Sequence, residues 1–549
     1  MLRYKDHVPR VLFIENHDSF SWNVVDALPF AREQIEVLGP AEAWAALDHS
    51  DVVVMGPGPT DPIRAGLIDL VREVARRRLP FLGVCLGHQA LGLAFGARLV
   101  RSSPAHGKRA TAHFSNFGGL DGPVEVMRYH SLSLTGVAAP LKVMASLADG
   151  TVMAIEHESL PMAGVQFHPD SFGTPRGREL LASLFKRSPL PAKRGQANSR
   201  LEGREGQGEG PIPTPSTPLK LSTLVGRDDF ALLGPGFSTH GRWTLLEELH
   251  APSTALGVNG QLWYASSESR TPLRLTGRAT IVEPIFDVPA HALSPRLDET
   301  GILEAVSTIR EHIAAGDVYQ VNLTLRAKLD CPTAAALLTT LCRTAVPRFA
   351  AWVKTSSIGE LVSASPELLV ETRDRWIHVE PMKGTAPPAQ RAWLETSEKD
   401  RAELAMITDL LRDDLHRLCV PCSVHVRNER RMIELPYVVQ AVSDVEGELE
   451  AGTTLRQVLN VVHPGGSVTG APRQAALEDI ATLEKTPRGA YCGTLGLESG
   501  GASRFALLIR TAERRGDGWS YGVGSGITWD SDPRAELDEV RLKLGALGP

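Results

Sequence analysis

Short apolar runs that end in polar or glycine-rich loops recur through about the first 185 residues. Val11–Ile14 leads into a polar loop, residues 51–55 repeat the pattern, and residues 79–84 run into a helical pattern. Strands that alternate with helices at this spacing predict parallel βαβ units. The loops after such strands are where open α/β sheets bind ligands. We therefore expect an α/β first domain with an open, mostly parallel sheet.

The pattern breaks in the middle of the chain. Between residues 188 and 220, glycine, proline and charged residues dominate and no apolar period remains, which predicts a flexible linker. Residues 1–187 then form the first domain, and residues 221–549 form a large α+β domain. Within the second domain we expect a small first lobe over 221–300 and a catalytic core over 301–549.

Composition narrows the function classes. The 549 residues carry 58 Lys+Arg and 64 Asp+Glu, a net charge of −6, so the chain lacks the basic excess of a nucleic-acid-binding protein. Six cysteines in so long a chain do not make a disulfide scaffold. No apolar stretch is long enough to cross a bilayer, and no secretory signal is visible. We expect a reduced, cytoplasmic protein without a nucleic-acid or membrane partner.

A cysteine between two glycines is the first candidate for catalysis. Gly83-Val-Cys85-Leu-Gly87 lies at a predicted strand-to-helix junction, the geometry of a nucleophile elbow. His168 offers a base, and Asp170 is close enough in sequence to orient the imidazole. Taken alone the motif is weak, because most buried cysteines and lone histidines are structural.

Five segments between residues 11 and 185 together resemble the class I (triad) glutamine amidotransferases. They are Asp18-Ser-Phe20, Gly56-Pro-Gly-Pro59, Gly83-Val-Cys-Leu-Gly-His-Gln89, Tyr129-His-Ser-Leu132 and Gln166-Phe-His-Pro169. The resemblance implies that Cys85 forms a glutamyl thioester and releases ammonia, with His168 as base and acid. It also implies oxyanion-hole amides and a glutamine site formed by Gly58, Leu86, Gln89, Ser131 and Leu132. Asp170 stands where the family usually has Glu, so we expect a backbone adjustment that brings the shorter carboxylate to His168.

Two predicted helices carry pairs of acids at i,i+3. Asp400 and Glu403 share one face of the first helix, and Glu536 and Glu539 share one face of the second. Four carboxylates presented to one point would suit Mg²⁺, which prefers oxygen ligands. The alternative is two solvated faces balanced by nearby lysines, and the pattern alone favours it.

Glycine-rich turns at 464–472 and 521–526 favour a ligand site over two solvated faces, because such loops offer backbone amides to anions. No P-loop motif is present. With these turns, further segments over about 301–546 resemble the chorismate-utilising enzymes, which include anthranilate, aminodeoxychorismate and isochorismate synthases. The matching segments are Gly316-Asp-Val-Tyr-Gln-Val-Asn322, Ser365-Pro-Glu367, Pro381-Met-Lys-Gly-Thr385, Arg488-Gly-Ala-Tyr-Cys-Gly493, Arg510-Thr511 and Asp530-Ser-Asp-Pro533. The resemblance implies a two-sheet sandwich flanked by helices.

The resemblance also assigns roles by position. Glu403 and Glu539 are implied as direct Mg²⁺ ligands, with Asp400 and Glu536 acting through water. Glu367 is implied as the general acid/base. The implied chorismate-binding residues are Thr385, Gly466, Ser467, Tyr491, Arg510, Gly524, Ser525 and Gly526.

Lys383 separates two branches of these enzymes. Anthranilate synthases usually carry Ala at this position, whereas the aminodeoxychorismate synthase family carries Lys. In that family the lysine attacks C2 of chorismate and expels the C4 hydroxyl, and ammonia then attacks C4 and displaces the lysine. Ser467 agrees with this branch. We therefore expect glutamine and chorismate as substrates, 4-amino-4-deoxychorismate as product, and a separate aminodeoxychorismate lyase that completes p-aminobenzoate, the folate precursor.

Four positions depart from the family pattern and keep alternatives open. Gln440 stands where His is usual, Asp413 where Asn is usual, Arg473 where Lys is usual, and Leu404 where His is usual. Because glutamine retains hydrogen bonding but loses proton transfer, one alternative is a degenerate chorismate-binding or regulatory protein. The other is an anthranilate synthase, which aminates C2 and releases pyruvate. The residues implied as catalytic by the two resemblances are present in both domains, which favours an active enzyme.

Overall fold

The computed structural model describes residues 8–186, 216–251, 260–291, 293–434, 438–545 and 547. The strands of the first domain are β1 Val11–Ile14, β2 Ile35–Leu38, β3 Val52–Met55, β4 Phe81–Val84, β5 Arg98–Phe117, β6 Leu120–Thr135, β7 Leu141–Ser146, β8 Val152–His157 and β9 Met162–Val165. Its helices are α1 Ser21–Ala27, α2 Pro40–Ala46, α3 Ile68–Arg76, α4 Leu86–Ala94 and α5 Gly177–Leu184.

The strands of the first domain form one mixed sheet. Its order is β2-β1-β3-β4-β9-β8-β7-β5-β6. Neighbouring strands are parallel in the part of the sheet that runs β2-β1-β3-β4-β9, which confirms the predicted βαβ core. The antiparallel strands β8, β7, β5 and β6 extend the sheet beyond that core.

Both faces of the parallel core are covered, which explains why its strands are apolar along their whole length. Leu12 and Ile14 face the core beneath α2, α3 and α4. Val11 and Phe13 point the other way, into a core shared with α1 and α5. The carboxyl ends of these strands therefore project their loops from one edge of the sheet.

The second domain is larger and rich in strands. Its strands are β10 Thr217–Lys220, β11 Phe230–Leu233, β12 Trp243–His250, β13 Gly260–Ala265, β14 Leu273–Ile285, β15 Arg296–Leu297, β16 Gln320–Leu329, β17 Phe349–Thr355, β18 Gly359–Ser365, β19 Leu368–Arg373, β20 Trp376–Val379, β21 Met382–Ala386, β22 His425–Glu434, β23 Val439–Glu448, β24 Gly470–Ala471, β25 Thr494–Ser499, β26 Ala502–Leu507, β27 Thr511–Arg515 and β28 Gly518–Ile527. Its helices are α6 Ile302–Ala315, α7 Ala334–Leu341, α8 Arg391–Thr396, α9 Glu398–His416, α10 Leu455–Val462, α11 Gly466–Thr469, α12 Arg473–Leu483 and α13 Pro533–Gly545.

Hydrogen bonds connect the described strands of this domain into one network. β11 pairs with β17 and β13 pairs with β25, so strands within residues 221–300 are hydrogen-bonded to strands of the predicted catalytic core. The last residues of the predicted linker form β10, which pairs with β14. Residues 188–215 of that linker lie outside the described residues. Among the helices that the structure describes, none is long and apolar enough to cross a membrane.

Candidate active sites

Cys85 lies at a tight junction between β4 and α4. It is buried and adopts φ +52° and ψ −100°, an unusual backbone conformation for a residue with a side chain. A Cβ placed on Gly83 would lie 2.3 Å from Gly87 O, and one on Gly87 would lie 2.3 Å from Met55 O. Glycine is therefore required on both sides of the cysteine, and the junction has the predicted geometry of a nucleophile elbow.

His168 and Asp170 lie beside the elbow. His168 Nδ1 is 3.5 Å from Asp170 Oδ1, and both side chains are buried. This distance exceeds that of a charge-assisted hydrogen bond, so the shorter carboxylate acts on the imidazole through charge. Burial by itself lowers the pKa of His168, but the charges of Asp170 and Cys85 outweigh it and hold that pKa well above its usual value.

The predicted glutamine-binding residues make contacts with one another and, in one case, with the second domain. Gly58 contacts Leu86, because a Cβ on the glycine would lie 2.6 Å from Leu86 Cδ2. Gln89 Nε2 donates to Leu132 O at 3.2 Å. The hydroxyl of Ser131 instead donates to Ile313 O of the second domain at 2.6 Å. Ser131 of the predicted glutamine site is therefore hydrogen-bonded to the second domain.

Helices α9 and α13 bring the four predicted acids together. Ser397 caps α9, and its Oγ accepts a hydrogen bond from Asp400 N. Lys399 Nζ lies 3.1 Å from Glu536 Oε1 and 3.9 Å from Glu403 Oε1. Ser525 Oγ also donates to Glu536. Glu403 and Glu536 are buried, so they do not belong to a solvated helix face. The side chain of Glu539 is 44% exposed and pairs with Lys543.

Glu403 provides the test of whether this cluster suits a divalent cation. Its Oε1 is buried and has no hydrogen-bond partner. Burial raises the pKa of Glu403 to about 7, against the opposing charges of Lys383 and Lys399. An unsatisfied carboxylate oxygen among further carboxylates matches the oxygen-only donor set that Mg²⁺ takes. The donor set therefore fits the metal.

A second group of potential metal ligands has a different explanation. His378, Glu380 and Asp444 place ligand atoms within 4.8 Å of one another. Arg431 Nε lies 2.7 Å from Asp444 Oδ2, and its Nη2 lies 2.5 Å from Glu380 Oε2. Because an arginine already neutralises both acids, this group is an ion-pair network.

Lys383 and Glu367 lie next to the acid cluster. Ser467 Oγ donates to Glu367 Oε1 at 2.7 Å. Burial raises the pKa of Glu367 to about 7, while Ser467 and Lys383 act in the opposite direction. A Cβ placed on Gly526 would lie 2.8 Å from Lys383 Nζ. The structure thus groups Lys383, Glu367, Glu403 and the end of β28.

The remaining predicted chorismate-binding residues differ in burial and in the contacts that they make. Tyr491 is buried against Gly522, where a Cβ would lie 2.0 Å from its ring. Gly524 O accepts a hydrogen bond from Lys543 at 2.7 Å. Arg510, at φ +49°, is half-buried just before β27, and Thr385 is exposed on β21. Gly466 begins α11 and packs on Leu410 of α9.

Positions that depart from the family pattern fall in three places. Gln440 is buried on β23, its Oε1 has no hydrogen-bond partner, and it borders a cavity of about 260 Å³ beside Met382. Asp413 and Arg473 lie at the contact with the first domain. Arg473 N donates to Ser19 Oγ at 2.8 Å. Leu404 is buried in a small apolar cluster.

The contact between the domains contains residues that sequence reasoning did not single out. Asp409 Oδ2 accepts hydrogen bonds from Tyr129, at 2.8 Å, and from Ser171 of the first domain. Arg412 Nη1 donates to Asp170 O at 3.1 Å. Tyr319 Oη donates to Asp18 Oδ2 at 2.7 Å. The signal that could have found these residues is that several of them lie in or beside the segments matched in the sequence. Through these contacts, α9 joins the acid cluster to the Cys85 site.

Comparison with known proteins agrees with this arrangement. Residues 12–188 match the family described as glutamine amidotransferase class-I, and residues 259–548 match the family described as chorismate binding enzyme. An aminodeoxychorismate synthase of Streptomyces griseus is 30% identical over 98% of this chain and 95% of its own length. An anthranilate synthase component 1 of Streptomyces coelicolor is 32% identical, over 61% of this chain and 67% of its own length.

A solved structure supports the fold of the second domain. The menaquinone-specific isochorismate synthase from Escherichia coli aligns with a TM-score of 0.50 at 20% identity, covering 60% of this chain and 90% of that one. At this identity the likeness concerns the fold. The match to the Streptomyces griseus relative spans both domains, and this chain therefore belongs to the aminodeoxychorismate synthase family, with its amidotransferase and chorismate-binding domains fused in one polypeptide.

Proposed function

We propose that this chain transfers the amide nitrogen of glutamine to C4 of chorismate, giving 4-amino-4-deoxychorismate and glutamate. The observation that carries the proposal is Lys383, which extends to Gly526 of β28 and whose charge acts on Glu367 and Glu403. An amine in that place favours C4 chemistry over the C2 amination of an anthranilate synthase. The full-length match to aminodeoxychorismate synthases supports the same branch.

The first domain supplies the ammonia. Cys85 attacks the glutamine amide carbon to form a thioester, His168 passes a proton to the leaving ammonia, and water then releases glutamate. Amides of Gly58 and Leu86 stabilise the oxyanion. The raised pKa of His168 supports an imidazolium paired with the thiolate.

The second domain carries out the amination. Lys383 first gives a proton to Glu367 and then, as a neutral amine, bonds through Nζ to C2 of chorismate as the C4 hydroxyl leaves. Glu367 passes the proton to that hydroxyl so that it departs as water. Ammonia then bonds to C4, and the bond between Lys383 and C2 breaks. A carboxyl with a pKa of about 7 is suited to give and take that proton near neutral pH.

The proposal includes Mg²⁺ held by Glu403 and Glu539 directly and by Asp400 and Glu536 through water. When bound, the ion supplies a positive charge for the substrate carboxylate. The unsatisfied Glu403 oxygen supports this assignment. Chorismate would lie against Tyr491, Arg510 and the amides of 524–526.

Two further expectations belong to this proposal. A separate aminodeoxychorismate lyase would convert the product to p-aminobenzoate. The cytoplasm is the compartment that we propose, because all six cysteines lie among the described residues and none forms a disulfide there.

The test supplies chorismate, Mg²⁺ and amide-¹⁵N glutamine to the purified full chain and identifies the product by mass spectrometry. We expect ¹⁵N-labelled aminodeoxychorismate, which added lyase converts to p-aminobenzoate. Labelled anthranilate would overturn the C4 assignment, and chorismate left unchanged even with added ammonium would favour a degenerate protein.

Two variants separate the sites in the same assay. Cys85→Ala should abolish glutamine-dependent product and keep ammonium-dependent product. Lys383→Ala should keep glutamate release and lose the C4 product from either nitrogen source. An unchanged product and rate in Lys383→Ala would contradict the role of that lysine as nucleophile.

A further inference from the structure

We propose that the ammonium of Lys399 is an internal counter-cation of the acid cluster and has to leave that cluster before Mg²⁺ can bind. Lys399 therefore sets the affinity of this chain for the metal. The inference rests on the proposed function, because it needs the metal site that we assign there to Glu403 and Glu539. It gives a role to a lysine that lies outside both catalytic sets.

Lys399 contacts acids of two helices at once. It lies in the first turn of α9, and its Nζ is 3.9 Å from Oε1 of Glu403, one turn further along the same helix. The same nitrogen donates to Oε1 of Glu536, on α13, at 3.1 Å. Glu403 and Glu536 are both buried, so each needs a positive charge nearby when no metal ion neutralises it. Lys399 supplies that charge.

The position of Lys399 has no explanation within α9 itself. The first turn of a helix favours acids and disfavours cations, because the backbone amides there carry partial positive charge. Glu398 and Asp400 follow this preference, and Lys399 between them opposes it. Lys543, which pairs with Glu539, lies in the last turn of α13, where a cation is favourable. Of these two lysines, Lys399 is the one whose place is explained by the acid cluster and not by its own helix.

Lys399 also occupies an oxygen that the bound metal would use. Glu536 is expected to hold Mg²⁺ through water, so one of its oxygens has to accept a hydrogen bond from that water. Its Oε2 accepts from Ser525 Oγ, and its Oε1 accepts from Lys399. The ammonium competes with the water at Oε1 and, as a like charge, repels the ion itself. The lysine and the metal are therefore alternative partners of the same carboxylates.

The structure leaves the ammonium a path into solvent. The side chain of Lys399 is 41% exposed, whereas the side chains of Glu403 and Glu536 are 11% and 3% exposed. The lysine can therefore turn outwards while the carboxylates stay in place. Because a divalent ion carries twice the charge of an ammonium, Mg²⁺ at sufficient concentration displaces it.

The experiment titrates the full chain with MgCl₂ and measures the dissociation constant by calorimetry. It also measures the melting temperature with and without Mg²⁺, so neither readout depends on turnover. Lys399→Gln removes the charge and keeps much of the side-chain length, whereas Lys399→Arg keeps the charge. Lys142→Gln is the matched control, because Lys142 pairs with Glu158 at 3.4 Å and both side chains are exposed.

We expect Lys399→Gln to bind Mg²⁺ at least about tenfold more tightly than the wild type, since the ion no longer has to displace a cation. Without metal this variant should melt at a lower temperature than the wild type, and Mg²⁺ should close most of that gap. Lys399→Arg should bind Mg²⁺ no more tightly than the wild type. Lys142→Gln should match the wild type in affinity.

An equal or weaker affinity in Lys399→Gln would overturn the inference, and so would tighter binding in Lys399→Arg. A merely structural role for Lys399 predicts that Lys399→Gln lowers the melting temperature equally with and without Mg²⁺, and that result would also overturn it. If no protein in the series binds Mg²⁺, with chorismate present as well as absent, the metal assignment of the proposed function itself is wrong.

Discussion

His168 and Glu367 are both buried, and burial opposes the charged form of each. At His168 the Asp170 carboxylate reverses that effect and raises the pKa of the imidazole. At Glu367 the opposing contacts are weaker, so burial prevails and the carboxyl pKa rises to about 7. The site of His168 thereby favours an ion pair. The site of Glu367 favours a carboxyl group that exchanges a proton near neutral pH.

The long contact between His168 and Asp170 leads to the first prediction. Asp170→Asn removes the charge that raises the pKa of His168, so the imidazolium fraction at neutral pH falls and the cysteine thiolate loses its partner. We expect glutamate release to fall roughly 10²- to 10⁴-fold and its alkaline limb to move to lower pH. Ammonium-dependent amination should persist. Asp121→Asn, at an exposed hairpin, is the control. An unchanged pH profile in Asp170→Asn would show that the Asp170 carboxylate, 3.5 Å from His168 Nδ1, does not set the pKa of the imidazole.

Glu367 allows a second test by pH. If it moves the proton of the C4 hydroxyl, the rate of amination at a fixed concentration of free ammonia should change around pH 7, where this carboxyl titrates. Glu367→Gln should lower the rate about 10²- to 10⁴-fold and remove that limb of the profile. Glu395→Gln, exposed on α8, should leave both unchanged. A limb near pH 7 that persists in Glu367→Gln would assign the titration to another group.

Residues with strong local signals were predictable, and residues that depend on packing were not. Cys85 between two glycines and the i,i+3 acids of α9 and α13 were visible in the sequence because each depends on a few neighbouring positions. The exposure of Thr385 and the use of Ser131 by the other domain were not visible, since both depend on contacts far away in the chain.

At the scale of elements, α9 links the two sites. Its first turns hold Asp400 and Glu403, and its later turns hold Asp409, Arg412 and Asp413 against the first domain. Sequence periodicity predicted this helix and its acids. It did not predict that Asp413 Oδ1 accepts hydrogen bonds from Trp22 N, at 2.6 Å, and Asn23 N, at 3.2 Å, in the first turn of α1.

Asp413 makes the stability of this contact depend on pH. Burial raises its pKa from 3.8 to about 7, although Arg417 opposes the shift. Between these two values the folded chain binds a proton that the unfolded chain has lost. The stabilisation is therefore complete below pH 3.8 and is lost as pH rises through about 7.

Asp413→Asn should remove this dependence, because the amide oxygen still accepts from α1 and carries no charge. We expect the Tm of the wild type to fall more between pH 5.5 and pH 8 than the Tm of the variant. In free energy of unfolding, the loss over this pH range should be larger for the wild type by roughly 1–3 kcal/mol. Thermal unfolding at the two pH values measures it, with exposed Asp69→Asn as control. Parallel pH curves for wild type and Asp413→Asn would contradict the assignment.

At the scale of the whole molecule, the two domains meet through buried aromatic and polar groups inside a rim of ion pairs. Phe20 stacks on Tyr319 across the contact, with ring centroids 5.9 Å apart. Arg64–Asp317, Lys108–Asp530 and Arg109–Glu429 form pairs at the periphery. The sequence predicted two domains but not this contact, because its residues are hundreds of positions apart.

The two parts of the contact respond differently to salt. Exposed pairs contribute about 0–1 kcal/mol each, and at about 1 M salt the screening length is about 3 Å, so the rim loses most of its effect. The buried aromatic layer does not depend on charge. We therefore expect the ratio of aminated product to glutamate to stay nearly constant up to about 1 M KCl.

Phe20→Ala should change that ratio at any salt concentration. Phe20 is fully buried, and its loss should cost about 3–5 kcal/mol and open the layer between the base and Tyr319. Glutamate would then form in excess over product, because ammonia escapes before it reaches C4. Phe30→Ala is the matched control, since Phe30 is as buried but packs on Phe185 within the first domain. If salt lowers the ratio and Phe20→Ala does not, the rim charges hold the two sites together, and the aromatic layer serves only the stability of the first domain.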